Sequence, residues 1–176
     1  KIKVNRSIVY KGDIKAIHYP WQIFQLNDWA IRADFEMISS GRKSKPISKT
    51  NKLVKPSGIF AEAGATIEHC ILNASEGPIY IGKNARIMEG SLLRGPIAIC
   101  EGAVVKMGTK MYGATTIGPY CTVGGEIKNS VLFGYTNKAH DGYLGDSVLG
   151  EWCNLGAGTS NSNVKNNAGE VKYWVD

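Results

Sequence analysis

Of the three histidines in this chain, His18, His69 and His140, only the last stands among other side chains suited to holding a ligand. It lies in NKAHDGYLGDSVLGEWCNLGAGTSNSNVKNN (137–167), between Ala139 and Asp141 and three residues before Tyr143. The amides of Asn154, Asn161, Asn163, Asn166 and Asn167 follow. A neutral imidazole, with an ordinary pKa of about 6.5, accepts protons at cellular pH and so serves as a general base. Tyrosine and asparagine orient a bound molecule, and the glycines of NLGAGT (154–159) let a backbone come close to it. Plainer readings stand beside these. A lone histidine on a β surface is usually just solvated, asparagine forms corner turns because it tolerates left-handed backbone, and Gly156 and Gly158 could serve a corner alone.

The elements that must position these residues show in a repeat of six. Ile81, Ile87, Leu93, Ile99, Val105, Met111, Ile117 and Val123 follow one another at that spacing without a break. Four residues after each comes a mostly small residue, from Ala85, Ser91 and Ile97 through Ala103, Thr109, Thr115 and Cys121 to Ile127. Gly82, Gly118 and Gly124 directly follow three of the aliphatic positions. An α-helix turns about 100° per residue and would scatter such positions around its axis. A triangular prism satisfies them: each face is a short strand, the aliphatic residue points inward, and the small residue lies near the corner. Stacked coils then pair as parallel strands and bury a continuous core.

The period breaks twice. FAEAGATI (60–67) matches YIGKNARI (80–87), with Ala61 and Ile67 inward, but two extra residues intervene. After Val123 a shift of two falls in VGGEIKNSV (123–131), and Val131, Tyr143, Leu149 and Leu155 are expected to resume the inward positions. Extra residues in a prism bulge at its corners, where function is commonly carried.

Residues 1–56 read differently. HYPWQIFQLNDWAIRADFEMI (18–38) predicts one or two short helices beginning near Pro20 and ending near Ser39, with Trp21 and Trp29 as packing residues. The run SGRKSKPISKTNKLVKP (40–56) carries much of the net charge of +6 but no interleaved aromatics. That argues against nucleic-acid binding and for a solvated linker. The prism is expected over 57–176, and 1–56 as the end of a preceding domain. The start at Lys1 and the strand-like end VKYWVD suggest a piece of a longer chain, cut within its β-helix. No apolar run is long enough for a membrane helix and no signal-peptide pattern opens the chain. Cys70, Cys100, Cys121 and Cys153 form no CxxC pair, so zinc is not expected; they read as thiols of a cytoplasmic protein. Nor do the isolated His69 and His140 suit a three-histidine zinc site.

With these motifs in view, KAHDGYLGDSVLGEWCNLGAGTSNSN (138–163) resembles the acetyltransferase domain of the bifunctional N-acetylglucosamine-1-phosphate uridyltransferase/glucosamine-1-phosphate acetyltransferase family. GPIYIG, YGATTIGP and SVLGEWCNLGAGTSNSN are most similar to its shorter sugar-nucleotidyltransferase relatives. The resemblance implies an all-β fold, a left-handed parallel β-helix of hexapeptide repeats with a short N-terminal helical segment. It implies His140 as the general base that deprotonates a sugar amine. It places Lys128, twelve residues before His140, at a phosphate-binding lysine, Tyr143 at a tyrosine contacting the sugar phosphate, and Asn154 at an asparagine holding the sugar. Ala157, Asn163 and Val164 match positions lining acetyl-CoA, the co-substrate. The family's phosphate-binding arginine has no arginine counterpart, and Lys106 or Lys110 is the nearest substitute; a lysine lacks the bidentate fork.

The chemistry implied is amide formation from an amine and a thioester. The ammonium must first lose a proton, and the oxyanion formed on attack needs backbone N–H donors. The implied partners are an amino-sugar phosphate, coenzyme A and two further copies of the chain in a homotrimer, with no nucleic acid and no membrane. The competing expectation is a non-catalytic trimerisation or regulatory module attached to a nucleotidyltransferase.

Overall fold

The computed structural model describes residues 8–12, 14–161 and 164–170. Helices α1 (Gln22–Gln25) and α2 (Asn27–Ser39) come first. The rest winds as a prism with three faces. The first face holds Lys52–Val54, Ile71–Asn73, Leu92–Arg94, Lys110–Tyr112, Glu126–Lys128 and Tyr143–Gly145. The second holds Ile59–Ala61, Ile79–Ile81, Ile97–Ile99, Thr115–Ile117, Val131–Leu132 and Val148–Leu149. Thr66–Ile67, Arg86–Ile87, Val104–Val105, Thr122–Val123 and Asn137–Lys138 make the third. Every strand pairs in parallel with the strand of the coil below or above it on its own face. This is the left-handed parallel β-helix that the resemblance implied.

The expected inward residues from Ile81 to Val123 are all buried, and so are the small corner residues Ala85, Ser91, Ala103, Thr109, Thr115 and Cys121. The corner hydroxyls are satisfied by carbonyls of their own corner and of the corner one coil above. Ser91 Oγ donates to Met88 O and Lys106 O, and Thr109 Oγ1 donates to Lys106 O at 2.6 Å. A buried hydroxyl with its bond made costs little, so serine and threonine fit where alanine also would.

Above Val123 the coil contracts, and two inward assignments change. Ile127 follows Val123 after four residues, where Met111 follows Val105 after six, because that corner is Gly124–Gly125 alone. The register then sets Leu132 on Ile117 and Leu144 on Ile127. Leu132 and Leu144 therefore point inward; Val131 is buried beside Thr116, and Tyr143 faces outward, half-buried. The residue that hid this register is Lys138, which stands on Val123 in the third inward column and is only 2% exposed.

On another corner, Tyr120, Tyr135 and Trp152 all adopt left-handed backbone, with φ of 57°, 60° and 58°. Their exposed rings stack one above the next, 5.5 and 4.6 Å apart. Left-handed backbone costs an ordinary residue about 1–2 kcal/mol, and ring stacking between coils offsets part of it.

The N-terminal segment is part of the packed structure. Helix α2 lies on the second face, where Asn27 is buried: its Nδ2 donates to Ala114 O at 2.6 Å and its Oδ1 accepts from Thr116 Oγ1 at 2.9 Å. Trp21 is half-buried and stacks on Tyr19, whereas Trp29 is half exposed and adds less packing than expected. The basic stretch 40–56 is not a detached linker. Lys52–Val54 is already a strand of the first face, and the residues before it close the lower end of the prism. Lys45 N–H donates to Ala61 O, and the Asn51 side chain donates to Ile67 O while accepting from Cys70 N–H. Among the described residues no helix is long and apolar enough to cross a membrane.

Candidate active site

His140 stands at the corner between the third and first faces, with its side chain exposed. The corner 139–142 has four residues and overhangs the two-residue corner below it. That contact requires glycine. A Cβ on Gly124 would lie 2.2 Å from Ala139 O, and one on Gly125 would lie 2.8 Å from Gly142 O and 3.0 Å from His140 O. From inside the prism Lys138 Nζ donates to His140 O at 2.7 Å. From above, Gly158 N–H donates to Asp141 O at 3.0 Å, and a Cβ on Gly142 would lie 2.1 Å from Thr159 O. The imidazole is thus presented to solvent on a backbone fixed from below, inside and above.

Tyr143 begins the first-face strand that follows. Its N–H donates to Ser160 Oγ at 3.0 Å, and its carbonyl accepts from Asn161 N–H. The phenol leans along its own strand over Gly145: a Cβ at Gly145 would fall 2.1 Å from Tyr143 Oη. Gly145 is the register partner of Lys128 one coil below. Lys128 and the Tyr143 hydroxyl therefore occupy neighbouring rungs of one outward surface, about 4.8 Å apart by strand spacing. A cation and a hydroxyl on neighbouring rungs are groups suited to meeting an anion.

The surroundings of Lys128 explain which other residues can join it. The rung directly below is Tyr112, whose hydroxyl donates to Glu126 Oε1 at 2.7 Å. That bond and the carboxylate push the phenol up to about 12, so it stays a protonated donor. Lys110 pairs with the same carboxylate at 3.5 Å. Arg94 is lower on this face and pairs with Glu76 at 3.3 Å. Lys106 lies along the His140 corner instead, its Cβ 3.4 Å from where a Gly124 Cβ would be. Lys106 and Lys110 thus flank the site at two different positions and do not form one phosphate pair with Lys128.

Asn154 is exposed on the third face, above Asn137, which donates to its Oδ1 at 2.7 Å. It precedes the corner around which Lys128 and Tyr143 lie, so the prism does not bring the three side chains to one surface. Ala157 and Gly158 form the exposed corner of the coil above His140, and a Cβ on Gly158 meets no described atom within 4 Å. Val164 is 66% exposed further along, and Asn163 lies outside the described residues.

Sequence reasoning missed several contributors. Asn161 is not merely a turn residue. Its Oδ1 accepts from Gly145 N–H at 3.0 Å and its Nδ2 donates to Gly145 O at 2.9 Å, so one amide replaces the next strand above Tyr143. Gly145, Glu126 and the Gly124–Gly125 pair shape the site through contacts between coils. The sequence signal for them is the doubled glycine immediately before EIK (126–128).

The parallel β-helix, together with the relatives that the chain resembles, marks an acyltransferase-like hexapeptide-repeat domain. The chain is a relative of the bifunctional GlmU proteins. It is 32% identical over 164 residues to Bifunctional protein GlmU of Nostoc sp., covering 81% of this chain and 36% of that protein. It is 30% identical over 158 residues to the protein of that name from Sorangium cellulosum, covering 76% and 33%. With the Rippkaea orientalis protein the identity is 37% over 86 residues, covering 48% and 18%. The chain thus spans about a fifth to a third of the length of the curated relatives it matches. Residues 1–43 match a family described as sugar nucleotidyl transferase.

Proposed function

We propose that this chain is the acetyltransferase β-helix of a sugar-nucleotide biosynthesis protein, acting on an amino-sugar phosphate of the glucosamine 1-phosphate type. The observation that carries the reading is the Tyr143 hydroxyl over Gly145, on the rung above Lys128 and beside the exposed His140 corner. The sugar phosphate lies against Lys128 and Tyr143, which holds its amine near the imidazole. His140 takes the proton as the amine nitrogen bonds to the acyl carbon. The C–S bond of acetyl-CoA breaks, the imidazolium returns its proton to the departing sulfur, and coenzyme A leaves as the thiol. Ala157, Asn163 and Val164 would line that co-substrate, and the backbone N–H groups of Gly156 and Ala157 would meet the developing oxyanion. Residues 1–43, which match the sugar nucleotidyl transferase family, would follow a preceding nucleotidyltransferase domain in a cytoplasmic bifunctional enzyme, and Lys45 onwards joins the prism.

Because Asn154 lies around the corner from Lys128 and Tyr143, a homotrimer completes the site. The Asn154–Asn163 region of one copy faces the His140 corner of a neighbour across the closed three-fold interface. The full parent protein, given acetyl-CoA and glucosamine 1-phosphate, is expected to release free thiol, and light scattering to give a trimer mass. No thiol release with any amino-sugar phosphate would overturn the reading.

The second reading, a non-catalytic trimerisation or regulatory module, draws on Tyr112. It fills the rung below Lys128 where an arginine would add a second phosphate cation, and Arg94 is already paired with Glu76. Acetyl transfer by the parent that is unchanged in His140→Ala would favour it.

A further inference from the structure

Lys138 is a lysine in the core of a β-helix. Its column on the third face otherwise reads Ile67, Ile87, Val105 and Val123, all buried and aliphatic. Lys138 is as buried as they are, at 2% exposure. An ammonium taken from water into such a column costs several kcal/mol unless its donors are used, whereas an unbranched apolar side chain fills the same volume without that cost. Burial accordingly pulls the Lys138 pKa down, with Asp141 opposing it. The side chain ends at one place: Nζ donates to the carbonyl oxygen of His140.

We propose that Lys138 is the positioning residue for His140, a bolt from the core that locks the catalytic corner; this rests on the acetyl-transfer reading above. The corner is the one whose floor is the Gly124–Gly125 pair, on which its backbone carbonyls lie directly. Two corner carbonyls are held at the edges, Gly142 O by Glu126 N–H and Asp141 O by Gly158 N–H. The carbonyl of His140 itself is held from within by Lys138. Fixing that carbonyl fixes the peptide plane from which the imidazole projects. A misplacement of about 1 Å at a proton acceptor can cost about a hundredfold in rate.

The test separates positioning from folding because the two move in opposite directions. In the full parent protein Lys138→Met removes the buried charge and keeps the volume. Its melting temperature is expected to equal or exceed wild type. The kcat for acetyl transfer is expected to fall about tenfold or more, with KM for glucosamine 1-phosphate within about twofold, since Lys128 and Tyr143 are untouched. Amide exchange at Glu126 and Gly158, which donate to the corner, is expected to quicken. If methionine is not accommodated, Lys138→Leu, matching the aliphatic column, is measured in the same way. Wild-type kcat and unchanged exchange in a folded variant would overturn the proposal. So would a kcat loss only in proportion to a lowered melting temperature, which would make Lys138 merely structural. If the wild-type parent itself turns nothing over, the acetyl-transfer reading falls, and the exchange comparison still decides whether the bolt exists.

Discussion

The hydroxyl of Tyr143 occupies the place of the side chain that Gly145 lacks, 2.1 Å from where a Cβ would be. This relationship ties a turn-like sequence signal, GYLGD, to the outward surface above Lys128. Gly145→Ala has a specific consequence, because the atom it strikes is the far end of a mobile ring and not backbone. The ring swings away and the fold stays. Calorimetric titration with glucosamine 1-phosphate is expected to show affinity about tenfold weaker, while the melting temperature changes by only a few degrees. An unchanged affinity would exclude Tyr143 from phosphate binding.

Gly124→Ala should behave in the opposite way. Its Cβ meets the backbone carbonyl of Ala139 at 2.2 Å, and neither coil can yield without breaking strand pairing. Denaturant unfolding is expected to show a loss of about 2–4 kcal/mol, larger than for Gly145→Ala. Equal losses would mean that the His140 corner adapts freely.

Asn27 fastens α2 to the second face through Ala114 O and Thr116 Oγ1. Asn27→Ala leaves a buried carbonyl unpaired and should cost about 1–3 kcal/mol. Hydrogen exchange would place the loss: amides of 27–39 should lose protection while those of the inward strands keep theirs. Uniform loss throughout would show that the helix and the coils unfold as one unit.

Cys100 lies beneath α2, where burial pushes its thiol up to about 11 from 9.0. The folded state therefore holds this proton more tightly than the unfolded chain. The associated stability is complete below the unfolded value and is lost as pH rises through the folded one. Melting curves from pH about 9 to 11 should fall more steeply for wild type than for Cys100→Ala. Parallel slopes would rule Cys100 out as the source.

Much of the architecture was legible because the chain repeats itself. An unbroken run of aliphatic residues from Ile81 to Val123 has few physical solutions, and the structure adopts the expected one. The reading failed where the rule was broken for a purpose. A lysine does not read as an inward residue, so Lys138 masks the register, and the inward positions fall on Leu132 and Leu144 instead of Val131 and Tyr143. The expected linker failed for a different reason. Its Asn51 joins the first coil through its side-chain amide, which leaves no hydrophobic period to find. Within the site, motif spacing named His140, Lys128 and Tyr143. The contacts that shape them run between coils, 14 to 16 residues apart, as with Tyr112 to Glu126 and Asn161 to Ser147 or Gly145, and no local window contains both partners.

The stacked rings of Tyr120, Tyr135 and Trp152 give the upper coils an optical signature of their own. Parallel rings 4.6 Å apart and within 7° of alignment couple their electronic transitions and pass excitation from tyrosine to tryptophan. Because each ring belongs to a different coil, loosening of the coil that carries Trp152 parts it from Tyr135 while Tyr120 and Tyr135 stay stacked. Near-ultraviolet circular dichroism and energy transfer between these rings therefore read out which of these three coils loosens, without any label attached.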